Sequence, residues 1–240
     1  MDFGLNVIDE AGMTVAYFQT LAHPAQAPLR ETYEATGATL LPIARYFKAL
    51  TGEPPTGQHR PASSTIRSYA PEDGAEVVRL SLRSWEPVFA SLKKVLGDEI
   101  FSRLHPDWRL DQQVAVETVC ADAGTEVRVA EVGGAVVGFV ATTLDTATHI
   151  GEVEMLAVDP AYQRHGIGLA LTELALASME SAGMRAAVIE TGGDPGHGPA
   201  RRTYEAAGCT PVSIARFFKA LGSPPPGDDR QREDCPAGAR

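Results

Sequence analysis

Apolar and polar positions alternate over residues 125–132, with Val127 and Val129 on one side, the period of a half-buried strand. Gly133-Gly134 is a two-residue hairpin signal, and the apolar run 135–143 reads as the returning strand. Further strands are predicted over 66–69, 153–158, 186–190 and 212–218. Elsewhere the period becomes helical. Pro71-Glu72-Asp73 opens a helix: proline suits the first turn, and the acids suit the positive end of its dipole. Val77, Val78, Leu82, Trp85 and Phe89 give its spacing. A second helix is expected over 90–104, interrupted near Gly97, and a third over 111–121 after the Pro106-Asp107 break. The clearest helix covers 163–183, with Ile167, Leu171, Leu174 and Met179 along one face. A short helix over 199–207 ends at Gly208. Hairpins and crossovers both occur, so the class is mixed α/β with an incomplete parallel pairing in the middle.

The chain repeats part of itself. Residues 28–50 read PLRETYEATGATLLPIARYFKAL and residues 199–221 read PARRTYEAAGCTPVSIARFFKAL, identical at 15 of 23 positions. The copies are 171 residues apart, as Pro28 is from Pro199. The match weakens outward, through Gly12-Met13 with Gly183-Met184, Thr20 with Thr191, Pro24 with Pro195, and Pro54-Pro55 with Pro225-Pro226. Two copies are too few for a solenoid. The reading is a duplication whose first copy, residues 1–57, carries only the carboxy-terminal third of a domain, as strand, helix and strand over 15–18, 28–35 and 41–47. A polar linker follows at 58–64, then a complete domain over 65–222 and a disordered tail over 223–240. The first copy would expose strand edges and an apolar face unless it packs on something. Docking on the long domain is one expectation; docking on a symmetry mate leaves a homodimer open.

Composition narrows the function. Hydrophobic residues are 44% and charged residues 22%, as in ordinary globular chains. No apolar run reaches the roughly 18 residues of a membrane span. The amino terminus, with Asp2, Asp9 and Glu10, does not resemble a secretory signal. Three cysteines (Cys120, Cys209 and Cys235) and scattered histidines give neither a disulfide framework nor a metal motif. A cytoplasmic protein without a metal is therefore expected. A net charge of −10 argues against nucleic acid as partner. It suits a cationic substrate such as an amine, and equally it suits solubility.

The densest chemistry lies in Val158-Asp159-Pro160, followed by Gln163-Arg164-His165-Gly166-Ile167-Gly168 at the head of a long helix. Free amides and the helix dipole favour an anion there, and the glycines let a pyrophosphate approach the backbone. Neither G-x-G-x-x-G nor a P-loop lysine is present. A strand, D-P, Q-R-x-G-x-G, a helix, another strand, and then a helix carrying A-R-x-x-Y-E-x-x-G together resemble the GNAT superfamily of acyl-CoA N-acyltransferases. This resemblance covers about residues 153–221, and the helical region from Trp85 to Pro106-Asp107-Trp108 is also similar. It implies a mixed central sheet with splayed middle strands, flanked by helices, plus the amino-terminal partial repeat.

The resemblance further implies acetyl-CoA as cosubstrate, with its pyrophosphate on Gln163, Arg164, His165, Gly166, Ile167 and Gly168. Leu156, Ala157 and Val158 would pair with the pantetheine arm as an added strand. Tyr204 falls where the family's general acid protonates the departing thiolate, and a phenol is a suitable donor. His197 stands where many members have a coenzyme-binding asparagine. The acceptor amine must lose a proton, and Glu154, Glu190 and Glu152 are candidate bases, in that order; in a regular strand Glu152 and Glu154 share a face. The first copy has Gln19 in place of Glu190 and no pyrophosphate turn, so no coenzyme is expected there. Trp85, Phe89, Phe101 and Trp108 read either as core or as an aromatic acceptor pocket. The implied activity is acetyl transfer to a primary amine of a small molecule or peptide. The alternative is an inactive acyl-CoA-binding protein on the same fold.

Overall fold

A computed structural model describes residues 14–51 and 64–222. The linker at 58–64, apart from Ser64, the tail at 223–240 and Cys235 lie outside the described residues. The elements in chain order are β1 (Val15–Leu21), α1 (Ala27–Ala35), β2 (Thr39–Ala49), β3 (Thr65–Ser68), α2 (Gly74–Leu104) and α3 (Trp108–Ala121). They continue with β4 (Thr125–Val132), β5 (Ala135–Asp145), β6 (Ile150–Val158), α4 (Ile167–Ser181), β7 (Ala186–Gly192), α5 (Gly198–Ala206) and β8 (Thr210–Ala220). The periodicity located each element; several strand ends run two or three residues further than the pattern indicated. The helices expected over 77–89 and 90–104 are one element, α2, broken at Gly97, where φ is 78°. The helix expected from Gln163 begins at Ile167, because Arg164 (φ 67°) and Gly166 (φ 82°) are left-handed and cannot be helical.

The eight strands of the described residues form one sheet, in the order β1-β8-β2-β7-β6-β5-β4-β3. All neighbours are antiparallel except β6 and β7, whose parallel ladder runs only from Ile150↔Ala186 to Val153↔Ile189. Beyond Val153 and Ile189 the two strands part. Helices α4 and α5 cover one face, where Val158, Ile167, Leu171, Met179, Ile189 and Tyr204 are buried together. Helix α2 crosses the other. Its first half packs on β4 and β5 through Val77 and Leu80, and its second half packs on Leu41, Ile43 and Ile214.

The amino-terminal strands are built into this sheet. β2 lies between β7 and β8, which therefore do not pair with each other, and β1 flanks β8. The pairings are reciprocal under the 171-residue offset. Thr39 faces Phe218 and Phe47 faces Thr210, so the β2–β8 ladder maps onto itself about the Ile43–Ile214 pair. Val15 faces Ala220 as Ala186 faces Ala49. Side chains follow the same rule. Lys219 Nζ donates to Thr36 O as Lys48 Nζ donates to Ala207 O. Arg30 binds the carbonyls of Leu21 and His23 as Arg201 binds those of Gly192 and Asp194. The two strand–helix–strand units are thus related by a local pseudo-twofold axis through the middle of the sheet, and each unit supplies an edge the other needs.

Candidate functional site

The site is built where β6 and β7 diverge. β6 ends at Asp159-Pro160. Asp159 is buried and accepts from Ala161 N (2.9 Å) and from Arg83 Nε on α2 (3.0 Å), which fixes the exit from the strand. The chain then enters the 163–168 turn through two left-handed residues, and Gly166 begins α4 with no side chain capping it. Alternating backbone handedness of this kind turns successive amides to one side and makes an anion-binding concavity. Arg164 and His165 are exposed beside it. A Cβ at Gly168 would sit 3.7 Å from both Val158 Cγ2 and Thr203 Cγ2, an ordinary contact. Internal packing therefore does not demand glycine at 168. The same distances bring the head of α4, the end of β6 and the middle of α5 together.

Tyr204 lies on α5 beneath this junction, 5% exposed, in the same cluster as Val158 and Ile167. Burial pushes its phenol well above the ordinary range, so it keeps its proton. The ring of Tyr46 on β2 meets it edge-on at 5.5 Å. Tyr46 donates to Glu205 Oε1 (3.0 Å); burial, then that bond and the Glu205 charge, raise its pKa to about 12. In the other repeat, Tyr33 packs on Phe217 (5.4 Å) and stacks on Phe18 (5.1 Å).

The three candidate carboxylates gather on the α2 face of the sheet in different environments. Glu154 is the extra residue of a bulge: Ala141 pairs with Met155 and Thr142 with Val153, leaving Glu154 unmatched. The expectation of a regular strand fails there, because the bulge breaks the alternation. Glu154 accepts from Thr143 Oγ1 (2.8 Å). Glu190 is held by two guanidiniums, Arg45 on β2 (Nε–Oε2 2.9 Å) and Arg216 on β8 (Nη2–Oε1 3.0 Å). Arg216 also donates to Gln19 Oε1 (2.9 and 2.7 Å). Glu152 carries a raised pKa, first from partial desolvation, although the side chain reaches solvent, and then from the charge of Glu154.

The other expected residues have the following surroundings. The Val158 carbonyl accepts from Ser84 Oγ (2.8 Å) and Gln163 Nε2 (3.0 Å), so Gln163 braces the turn through its side chain. Leu156 is half-buried and Ala157 buried at the parting of the strands. His197 turns inward, its Nδ1 against Asp194 Oδ1. Burial opposes ionisation of Asp194, but His197, Ser91 and the Gly196 amide overcome it and hold the carboxyl down at about 2. Phe89 and Phe101 are buried under the sheet and, with Trp108, line an open groove of about 380 Å³ beside Glu86 and His105; Trp85 packs into the core alone. Core and groove are thus both served. Sequence reasoning missed Arg45, Tyr46 and Arg216. Their signal was the repeated Ile-Ala-Arg-aromatic-Phe-Lys segment, which periodicity reads only as strand. Among the described residues there is no cluster of three or more metal-ligating side chains, and no helix is long and apolar enough to cross a membrane.

No curated protein matches the chain by sequence. Its fold is similar to a GCN5-related N-acetyltransferase from Sphaerobacter thermophilus (TM-score 0.55, 18% identity, 86% of this chain and 60% of that one). It is also similar to a tandem GNAT protein from the clavulanic acid biosynthesis pathway (0.54, 14%, 88% and 65%). A conserved protein of unknown function from Staphylococcus epidermidis compares as well (0.53, 16%, 86% and 72%). The chain therefore spans about 60% of the length of the Sphaerobacter structure. Residues 94–209, from within α2 to the residue before β8, match the model of the acetyltransferase (GNAT) family, and over 86% of the chain the fold is that of the Sphaerobacter GNAT structure.

Proposed function

We propose that the chain is an acetyl-CoA-dependent N-acyltransferase acting on a primary amine. The observation that carries this is the parting of β6 and β7 after Val153↔Ile189, directly beside the uncapped left-handed turn at 164–166. The gap exposes strand backbone to which an extended pantetheine can hydrogen-bond, and the turn offers amides to its pyrophosphate. Tyr204 donates a proton to the departing thiolate. Glu152 takes the proton from the amine, since Glu190 is already committed to two arginines and Glu154 to Thr143. The amine then attacks the thioester carbonyl, the C–S bond breaks, and the amide and free thiol leave. Residues 1–57 are read as a truncated second copy that binds no coenzyme. The commitment of Glu190 also supports the second reading, an acyl-CoA-binding protein without turnover.

Calorimetric titration of acetyl-CoA into the full chain tests the coenzyme reading. One site per chain is expected, followed by acetylation of members of an amine panel. No binding to folded protein would refute it. Binding without turnover on any amine would favour the second reading, and two sites would overturn the view of the first copy.

A further inference from the structure

The repeated Ile-Ala-Arg segment places its two arginines, Arg45 and Arg216, at equivalent points of the pseudo-twofold, since 45 and 216 are one repeat apart. Their partners are not equivalent: Glu190 corresponds to the neutral Gln19. Arg45 lies directly across from Glu190 in the β2–β7 ladder, and Arg216 lies across from Gln19 in the β1–β8 ladder. Both guanidiniums nevertheless reach Glu190, so the cations of both repeats converge on one acid. That acid sits at the first step beyond the last β6–β7 pair, at the mouth of the gap. The amino-terminal repeat is therefore wired into the candidate site and not merely packed against the sheet.

We infer that Arg45, contributed by the amino-terminal repeat, is a positioning residue for acyl transfer: it clamps Glu190 and sets the charge around Glu152. This rests on the acyltransferase reading above. The charged groups facing Glu152 are Glu154 on its own strand, Arg45 on β2 and Glu190 on β7. Two are acids that oppose its ionisation, and Arg45 is the cation that favours it. Clamping Glu190 also keeps that carboxylate from competing for the amine. Without the guanidinium at 45, Glu190 retains Arg216 alone of the two, and Glu152 loses the cation that favours its ionisation while still facing Glu154 and Glu190.

Arg45→Gln and Arg45→Lys in the full-length chain test this. The titration of Glu152 is followed by carbon-13 NMR of the side-chain carboxyl, assigned with Glu152→Gln, and this readout needs no turnover. Arg45→Gln should raise the Glu152 midpoint by about half a pH unit or more. It should move the acid limb of the pH–rate profile upward by the same amount, lower kcat about tenfold and leave the acetyl-CoA Kd within about twofold. Arg45→Lys keeps the charge and should restore most of the midpoint shift and the rate, which a purely structural loss would not do. An unchanged Glu152 midpoint and acid limb in Arg45→Gln, with acetyl-CoA binding intact, would overturn the role of Arg45 alone. Failure of the unaltered chain to bind acetyl-CoA would overturn this role and the acyltransferase reading together.

Discussion

Removing residues 1–57 should abolish the stable monomer. β2 contributes Leu41 and Ile43, each 6% exposed, and Tyr46, 1% exposed. It covers Phe217 (0%), Ile189 (1%) and Ile214 (4%). Burying a large apolar side chain is worth about 1.5–3 kcal/mol. Losing even half of that at these six positions forfeits about 5 kcal/mol or more, comparable with the whole stability of a domain, about 5–15 kcal/mol. The facing edges of β7 and β8 would also lose their ladder partner. A truncated chain has one way to recover both. Because the β2–β8 ladder is symmetric about Ile43–Ile214, the β8 of a second molecule can occupy the slot of β2, giving a dimer. Circular-dichroism melting and sizing chromatography check this. The expected outcomes are loss of the cooperative transition or a concentration-dependent dimer. A truncated monomer melting within a few degrees of the full chain would refute the claim that β2 is integral to the sheet.

Further outcomes follow from the same geometry. Tyr204→Phe keeps the buried ring and removes the proton donor, so kcat should fall about 10²–10⁴-fold while calorimetry finds acetyl-CoA affinity unchanged; full activity would remove Tyr204 from the mechanism. Gly168→Ala meets only ordinary contacts at 3.7 Å and should leave stability equal or up to about 1 kcal/mol better. The same change should weaken acetyl-CoA about tenfold; an unaltered Kd would place the pyrophosphate elsewhere. The Asp194 carboxyl is lowered from 3.8 to about 2. A depressed folded-state pKa gives stability that is present above the unfolded value and lost as pH falls through the folded one. That contribution, about 2 kcal/mol, should disappear between about pH 4 and pH 2. Asp194→Asn should flatten the melting temperature across that window, and an unchanged slope would count against the His197–Asp194 pairing.

Much of the architecture was legible locally. Alternation at Val127 and Val129, the Gly133-Gly134 turn and the helical spacing of Ile167, Leu171 and Met179 each follow from which residues must face a core, and near neighbours carry that information. The turn at 163–168 was legible from its own glycines, and the similarity of residues 28–50 to 199–221 from comparing the chain with itself. The destination of the amino-terminal strands was not. β2 and β8 carry nearly the same residues, and pairing depends on which edges a distant strand leaves open, which no window of sequence contains. The bulge at Glu154 likewise arises from the register between β5 and β6. Glu190 entered as a candidate base with no visible partner because Arg45 is 145 residues away in sequence, and the turn of His197 onto Asp194 was not visible either. The chain's own pattern determined the elements and where their candidate residues fall. Tertiary pairing alone decided which carboxylates are held by arginines and which strand edges meet, because ion pairs and strand registers are set by distance in space.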